Sequence, residues 1–204
     1  MTRLSDDNHY NFFRYNYQTR WISYWHQISE ILKLNSNTLL EIGVGDKTVS
    51  DYLKNKGVQV VTADIDKSLE PDVVGSVLKL PFPDNSFDAV LCAEVLEHLP
   101  FEDFSKALQE IRRVSNQYAV LSLPQWGWVF HLSIKIPLFP LVELFFKISG
   151  LLKIKAGGRH YWEIGRRGYP LKKIKKIIAD AGFEIIRDYI NSASPYHHFF
   201  ILRK

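Results

Sequence analysis

The fold is indicated first by the stretch Thr38-Leu-Leu-Glu-Ile-Gly-Val-Gly-Asp-Lys-Thr48, in which a short apolar run ends at two closely spaced glycines. We predict a strand over residues 38–42 and a helix over residues 48–56. Glycine at positions 43 and 45 permits a tight turn between them, and the missing side chains let a ligand lie against the backbone. The stretch therefore predicts the start of an open α/β sheet, with a binding site where its first strand ends.

Strand-like and helix-like segments alternate along most of the remaining chain. We predict strands over residues 58–63, 87–93, 118–123, 183–189 and 197–202, and helices over residues 101–114 and 171–181. This alternation is typical of a parallel, doubly wound sheet. The length of 204 residues suits a single domain, with residues 1–36 as a helical N-terminal extension and residues 125–168 as an insertion.

The extension contains an amphipathic helix. Trp21, Trp25, Ile28 and Leu32 recur at helical spacing. We expect this Trp-rich face to pack on the domain.

The insertion after the fifth strand is nearly all apolar over residues 128–152. Lys135, Glu143 and Lys147 interrupt it, so it lacks the uninterrupted run of about 18–20 residues that crosses a bilayer. Leu141, Leu144, Phe145, Ile148, Leu151 and Leu152 share one face of a helix, which predicts an amphipathic inserted helix. It is expected to serve as a lid over a hydrophobic acceptor, as a contact with an anionic membrane, or as part of the core or of a dimer interface.

Charge and cysteine content narrow the class of protein. The net charge is +4, and the stretch from Lys147 to Lys176 contains ten Lys or Arg residues and one acid, which suggests an anionic partner.

The single cysteine, Cys92, excludes an intrachain disulfide framework and multi-cysteine zinc motifs, and no metal site is expected. The polar N-terminus lacks a secretory signal pattern, so we expect a cytoplasmic protein, peripheral to the membrane if the insertion docks there.

An acid at the end of the second predicted strand points to a nucleoside. Asp64 follows Gly43 by 21 residues, where an acid hydrogen-bonds ribose hydroxyls in sheets of this kind. A dinucleotide fingerprint would need glycine at position 48, which is Thr48, and this argues against NAD. Glu41 instead suits a ligand with a cationic amine, such as the methionine end of S-adenosylmethionine.

Four strings of the sequence resemble motifs of one known family. They are Glu41-Ile-Gly-Val-Gly-Asp46, Thr62-Ala-Asp-Ile-Asp66, Leu80-Pro-Phe-Pro-Asp-Asn-Ser-Phe-Asp-Ala-Val-Leu-Cys-Ala-Glu-Val-Leu-Glu-His-Leu99 and Glu110-Ile-Arg-Arg-Val114. Over residues 38–124 the chain thereby resembles the class I methyltransferases of the type 11 group. The resemblance implies a Rossmann-like sheet of seven strands, the last antiparallel, with S-adenosylmethionine across the carboxyl ends of strands 1, 2 and 4.

The resemblance also implies roles for individual residues. Gly43 and Gly45 would flank the methionyl part of the cofactor, and Asp64 would bind the ribose. The adenine would be lined by Ser76 and Val77, and the amine or sulfonium end by Cys92 and Ala93. The chain departs from the family pattern at Lys47, where a third glycine is usual, and at Ser76, where an acid is usual.

Methyl transfer needs a base only if the acceptor must lose a proton. His98 follows the fourth strand, and the segment of residues 157–165 holds His160 and Glu163 as candidate bases beside Tyr161 and Trp162 as an aromatic wall. Packing roles for these residues remain open.

The sequence thus predicts a methyltransferase that acts on a small-molecule or lipid-like acceptor. The alternatives are a non-catalytic nucleoside-binding or membrane-recruited scaffold and, third, a nicotinamide oxidoreductase. Nucleic acid is not favoured as the substrate, because Cys92-Ala-Glu-Val95 lacks the Asn/Asp-Pro-Pro-Tyr motif, although the basic stretch leaves RNA open.

Overall fold

A seven-stranded sheet forms the centre of the molecule. The computed structural model describes residues 15–138, 140–149 and 159–204. The sheet has the order β3-β2-β1-β4-β5-β9-β8, and a separate hairpin consists of β6 and β7. The strands are β1 Thr38–Ile42, β2 Gln59–Asp64, β3 Val73–Val74, β4 Phe87–Ala93, β5 Ser115–Pro124, β6 Trp128–Ile134, β7 Val142–Ile148, β8 Glu184–Asn191 and β9 Ser194–Arg203.

The direction of the strands confirms the predicted fold class. Neighbouring strands from β3 to β5 are parallel, whereas β9 lies antiparallel between β5 and β8. The registers place Ile42 beside Ala63 of β2 and beside Cys92 of β4, so these three strands end at the same edge. The loops that follow them therefore converge there, as is general for ligand sites in open α/β sheets.

Helices cover both faces of the sheet. They are α1 Gln18–Lys33, α2 Thr48–Asn55, α3 Phe104–Val114 and α4 Leu171–Asp180, with short 3-10 helices at Lys67–Leu69, Leu96–His98 and Phe101–Asp103. Ile31 of α1 and Leu53 of α2 pack with one face of the central strands. Phe104 of α3 and Ile178 of α4 pack against the other face together with Trp162. The strands are thus apolar on both sides, which explains their continuous hydrophobic sequence.

The helix predicted in the N-terminal extension is present, but the prediction of its buried face is wrong. The buried residues of α1 include Tyr24, Gln27 and Ile31, whereas Trp25 is 62% exposed and Trp21 46% exposed. Polar pairing explains the difference, since Glu30 accepts a hydrogen bond from Tyr189 of β8 and forms an ion pair with Arg187. The two tryptophans line an open groove of about 600 Å³ between α1 and α2.

The prediction of a helix in the insertion is also wrong. The segment forms an antiparallel hairpin in which Trp128 pairs with Ile148 and Ile134 pairs with Val142. Alternating aromatic and β-branched residues favour a strand here. Residues 150–152 of the predicted helix, like the glycines at 157 and 158, lie outside the described residues.

The hairpin exposes apolar side chains, most of them on one face and at its tip. Those more than 40% exposed include Trp128, Phe130, Ile136, Leu138, Leu144 and Phe146. Within the described residues, no helix is long and apolar enough to cross a membrane.

Replacement of Trp162 by alanine tests the packing on the α3 and α4 side. The Trp162 ring is fully buried against Phe101, Phe104 and Tyr169, so we expect Trp162→Ala to lower the free energy of unfolding by about 3–5 kcal/mol. Its neighbour Tyr161 is 60% exposed, and Tyr161→Ala is the matched control with an expected change of about 0.5 kcal/mol. Urea denaturation measures both, and equal losses would contradict this assignment of the core.

Candidate functional site

The glycine turn after β1 is fixed by backbone geometry. Gly43 has φ +84° and Gly45 has φ +53°, both in the left-handed region that favours glycine. A Cβ atom on Gly43 would lie 2.2 Å from Cγ2 of Val95, so this turn touches the loop after β4. A side chain is therefore excluded at Gly43, and the loops after β1 and β4 lie in close contact there.

Lys47 takes the place that glycine usually occupies in this motif. Its φ is 65°, so the chain keeps the left-handed conformation there without glycine, at the residue that precedes α2. The Lys47 Nζ atom lies 3.8 Å from the carboxylate of Glu70. The side chain is thus directed towards an exposed acid across the neighbouring loop.

Asp64 joins the loops after β1 and β2. Its Oδ2 atom accepts a hydrogen bond from the Val44 amide at 3.0 Å, and Oδ1 accepts one from the Asp66 amide at 2.8 Å. Burial raises the pKa of the Asp64 carboxyl. Each carboxylate oxygen can accept further hydrogen bonds, which leaves capacity for a diol.

Glu41 places a buried acid beneath the turn. Its side chain is 5% exposed, and its Oε2 atom has no hydrogen-bond partner among the described residues. Burial raises the pKa of this carboxyl to about 8. Because an unpaired buried carboxylate is unfavourable, a cationic group bound here would stabilise the ionised form.

The residues expected around adenine and the sulfonium differ in their exposure. The Ser76 Oγ atom accepts a hydrogen bond from the Leu78 amide at 3.2 Å, and the Gly75 amide donates to the Asp64 carbonyl. Val77 and Cys92 are buried in the core, while Ala93 at the end of β4 is partly exposed. Cys92 therefore offers a ligand no exposed surface in this structure, whereas Ala93 can contact one.

Two further acids follow β4 directly. Glu94 has φ 55° and accepts a hydrogen bond from Ser122 Oγ at 2.8 Å, and burial raises the pKa of its carboxyl to about 7. Glu97 is fully buried, and neither of its carboxylate oxygens has a hydrogen-bond partner in another described residue. Burial and the charge of Glu94 raise the pKa of Glu97.

The three residues predicted as candidate bases are brought together beside these acids. The rings of His98 and His160 lie 4.9 Å apart between centroids. Glu163 Oε1 lies 3.0 Å from His160 Nδ1 and accepts a hydrogen bond from the Tyr196 hydroxyl at 2.9 Å, while Arg166 binds Oε2. Burial raises the pKa of Glu163, but hydrogen bonds from His160, Tyr196 and Arg166 outweigh this effect. The pKa of Glu163 therefore lies below its ordinary value. Burial lowers the pKa of His98.

The predicted aromatic wall is wrong for Trp162. This ring lies in the core, so only Tyr161 of the pair is exposed.

The sequence analysis did not single out several residues that surround Glu94, Glu97 and the candidate bases. Glu97 lies within the family string, but nothing distinguished it there from a surface acid. Tyr196 comes from β9. Its neighbour His197, which the sequence predicts on a strand with at most one of His197 and His198 near the pocket, has its Nε2 atom 4.0 Å from Glu94 Oε2. Arg166 and Ser122 likewise join the cluster only through the fold.

A family comparison matches the central part of the chain. The family model described as methyltransferase domain matches residues 40–122. These residues include the glycine turn, Asp64 and the loop after β4. Over residues 40–122 the chain is thus similar to the class I S-adenosylmethionine-dependent methyltransferases of the type 11 group.

The alignments with sequence relatives cover only part of each relative's length. An uncharacterised protein of Methanocaldococcus jannaschii is 36% identical over 97 residues, which are 43% of this chain and 42% of the relative. The demethylmenaquinone methyltransferase of Listeria welshimeri is 30% identical over 135 residues, 60% of this chain and 53% of the relative. The chain thus spans about half the length of the curated relatives it matches.

Solved structures share the fold at low sequence identity. Magnesium protoporphyrin IX methyltransferase from Synechocystis, crystallised with bound SAH, has a TM-score of 0.61 at 18% identity and covers 91% of this chain and 84% of its own. The PH0226 protein from Pyrococcus horikoshii has a TM-score of 0.62 at 14% identity and covers 98% of this chain and 99% of its own. These likenesses show the methyltransferase fold.

A pair of glycine substitutions tests the turn after β1. Gly57 also has positive φ, at +89°, but a Cβ atom there has nothing within 4 Å. We expect both alanine variants to lose about 1–2 kcal/mol of stability to the left-handed backbone. Gly43→Ala should lose about 1–3 kcal/mol more, because its methyl group overlaps Val95.

Urea denaturation of Gly43→Ala, Gly57→Ala and Gly43→Ala/Val95→Ala measures these differences. The additional Val95→Ala change should recover part of the excess loss. If Gly43→Ala costs no more than Gly57→Ala, the close approach of the two loops is wrong.

Proposed function

We propose that this protein transfers a methyl group from S-adenosylmethionine to a small, lipid-like acceptor in the cytoplasm, at or near a membrane surface. One observation carries the cofactor assignment: Glu41 is buried and partly unpartnered at the end of β1, two residues before the glycine turn. The methionyl amine of the cofactor supplies the cation that this carboxylate lacks. The family match and the solved relative with bound SAH support the same cofactor.

The remaining cofactor contacts follow from the converging loops. Gly43 and Gly45 admit the methionyl part to the backbone, and Asp64 accepts hydrogen bonds from the ribose hydroxyls. The adenine lies against Ser76 and Val77. Ala93, the neighbour of Cys92, borders the sulfonium end.

When bound, S-adenosylmethionine supplies an electrophilic methyl group on a sulfonium that leaves as a neutral thioether. The protein positions the acceptor and removes its proton. We assign removal of the acceptor's proton to Nε2 of His160, because the other ring nitrogen, Nδ1, faces Glu163 Oε1 at 3.0 Å. A carboxylate only accepts hydrogen bonds, so Glu163 holds the proton on Nδ1 and leaves Nε2 as the basic nitrogen.

His98 is the second candidate base. Its Nδ1 atom lies 3.1 Å from the Arg159 carbonyl oxygen, so its Nε2 atom is likewise unprotonated in the neutral ring. The depressed pKa of His98 favours that neutral form. Glu163 acts in this scheme as the group that orients His160.

The apolar hairpin supports a lipid-like acceptor and contact with an anionic membrane. At its tip, Ile136 and Leu138 are exposed to solvent beside Lys135. An exposed apolar surface of this kind is typical of sites that bind membranes or hydrophobic ligands. As part of the insertion of residues 125–168, the hairpin would also cover the acceptor, since Gln125 at its base pairs with Ile164 of the segment carrying His160.

The basic stretch contributes less to membrane binding than its charge suggests. Lys175 pairs with Asp188 at 2.6 Å and Lys176 pairs with Asp180 at 2.6 Å. Lys147 lies partly buried against the carbonyl oxygen of Pro195, and burial lowers its pKa to about 8. The proposal therefore rests on the apolar tip.

Calorimetric titration tests the cofactor. We expect the wild-type protein to bind S-adenosylmethionine and S-adenosylhomocysteine but not NAD. Asp64→Ala should raise the dissociation constants of both sulfur nucleosides about tenfold or more, which corresponds to about 1.4 kcal/mol for the lost ribose hydrogen bonds. Asp51→Ala is the matched control, because this acid is exposed on the neighbouring α2. Binding of NAD in place of both sulfur nucleosides would contradict the assignment.

Flotation with vesicles tests the membrane contact. We expect the wild type to float with vesicles containing phosphatidylserine. Ile136→Asp and Leu138→Asp should each lower the partition coefficient about tenfold or more, since each apolar side chain contributes roughly 1.5–3 kcal/mol when buried. Ile186→Asp is the control, because Ile186 is exposed on β8, away from the hairpin. Absence of wild-type flotation with both neutral and anionic vesicles would exclude the membrane contact.

A further inference from the structure

We infer that Glu97, His98 and His160 form a binding site for a divalent transition-metal ion such as Zn²⁺. One ligand atom from each residue lies within 4.8 Å of the other two. The Glu97 Oε1 atom is 3.9 Å from His160 Nε2. Ligands of tetrahedral zinc, at bond lengths of about 2.0–2.2 Å, lie roughly 3.4 Å apart. Rotation about the broad terminal torsion of the glutamate can bring its oxygen nearer to His160, and small shifts of the imidazole rings would have to close the remaining separation.

Both imidazoles are held in the tautomer that binds metal. His98 must donate from Nδ1 to the Arg159 carbonyl, because a carbonyl oxygen only accepts. His160 faces the Glu163 carboxylate through Nδ1 in the same way. Each ring therefore offers the lone pair of Nε2, and metal-binding histidines are oriented by this kind of outer hydrogen bond to a carbonyl or a carboxylate.

Glu97 is the second, independent observation. It is fully buried, and no other described residue donates a hydrogen bond to either carboxylate oxygen. An ionised carboxylate in this position faces the lone pair of His160 Nε2 with no donor between them. A metal ion bound by all three residues satisfies both the Glu97 carboxylate and the lone pair of His160 Nε2. Two histidines with one carboxylate are a ligand set that zinc accepts.

The site was not expected from the sequence, because its ligands follow no short spacing. Glu97 and His98 are adjacent in the loop after β4, while His160 comes from the segment after the hairpin. The backbone joins the two segments, since the Tyr161 amide donates a hydrogen bond to the Glu97 carbonyl at 2.8 Å.

Metal binding has a consequence that rests on the proposed function. A bound ion occupies Nε2 of His160, the atom assigned there to proton removal. The two roles exclude each other, so we expect Zn²⁺ to slow methyl transfer. The existence of the site does not depend on this consequence.

Titration of the tag-free full chain with Co²⁺, and competition by Zn²⁺, tests the site. We expect one Co²⁺ per chain, with visible absorption bands of a nitrogen and oxygen site that Zn²⁺ abolishes. Glu97→Gln and His160→Gln should each raise the dissociation constant at least about tenfold, since each removes a ligand. His131→Gln should leave it unchanged; His131 forms an exposed pair with Glu143 at 3.3 Å on the hairpin and is a matched control.

Folding of every variant is checked by circular dichroism and by S-adenosylhomocysteine binding without metal. If Glu97→Gln fails to fold, His98→Gln and His160→Gln carry the test. No saturable Co²⁺ or Zn²⁺ binding by the wild type, or equal binding by His160→Gln and wild type, overturns the proposal. Metal binding by a wild type that does not bind S-adenosylhomocysteine would instead refute the proposed function and retain the metal site.

Discussion

The contact between Gly43 and Val95 is the constraint on which the site depends. A turn without a side chain lets the loop after β1 lie directly against the loop after β4. One loop carries the backbone that we propose meets the cofactor, and the other begins the cluster of Glu94, Glu97 and His98. In that proposal, the same contact sets the distance between the methyl donor and the groups that meet the acceptor.

The site gathers more buried negative charge than its own residues neutralise. Burial raises the pKa of Glu41 to about 8 and that of Glu94 to about 7, and Glu97 is raised as well. These folded-state values exceed the unfolded values, so folding takes up protons. The carboxyls consequently reduce stability as the pH rises from about 4.5 towards 8. A cationic ligand bound beside these carboxyls would restore the lost stability, so ligand binding and folding stability are linked.

The sequence predicted the sheet well because strands buried on both faces, glycine turns and helix spacing are local signals. The position of Asp64 at the end of β2 was predicted for the same reason, since it follows from the length of one β-α-β unit. The hairpin was missed because a short run of alternating aromatic and aliphatic residues satisfies both a helical face and a strand. The buried face of α1 was missed because Glu30 is held by β8, far away in sequence. Likewise, Tyr196 and His197 meet Glu163 and Glu94 only after β9 has paired with β5.

A crystal structure with S-adenosylhomocysteine tests the central claim most directly. The account predicts that the ligand amine lies within hydrogen-bonding distance of Glu41 Oε2, that the ribose hydroxyls contact Asp64, and that the sulfur faces Ala93. The position of the absent methyl group would then point towards His98 and His160. A ligand bound elsewhere, or bound with Glu41 still unpartnered, would contradict it.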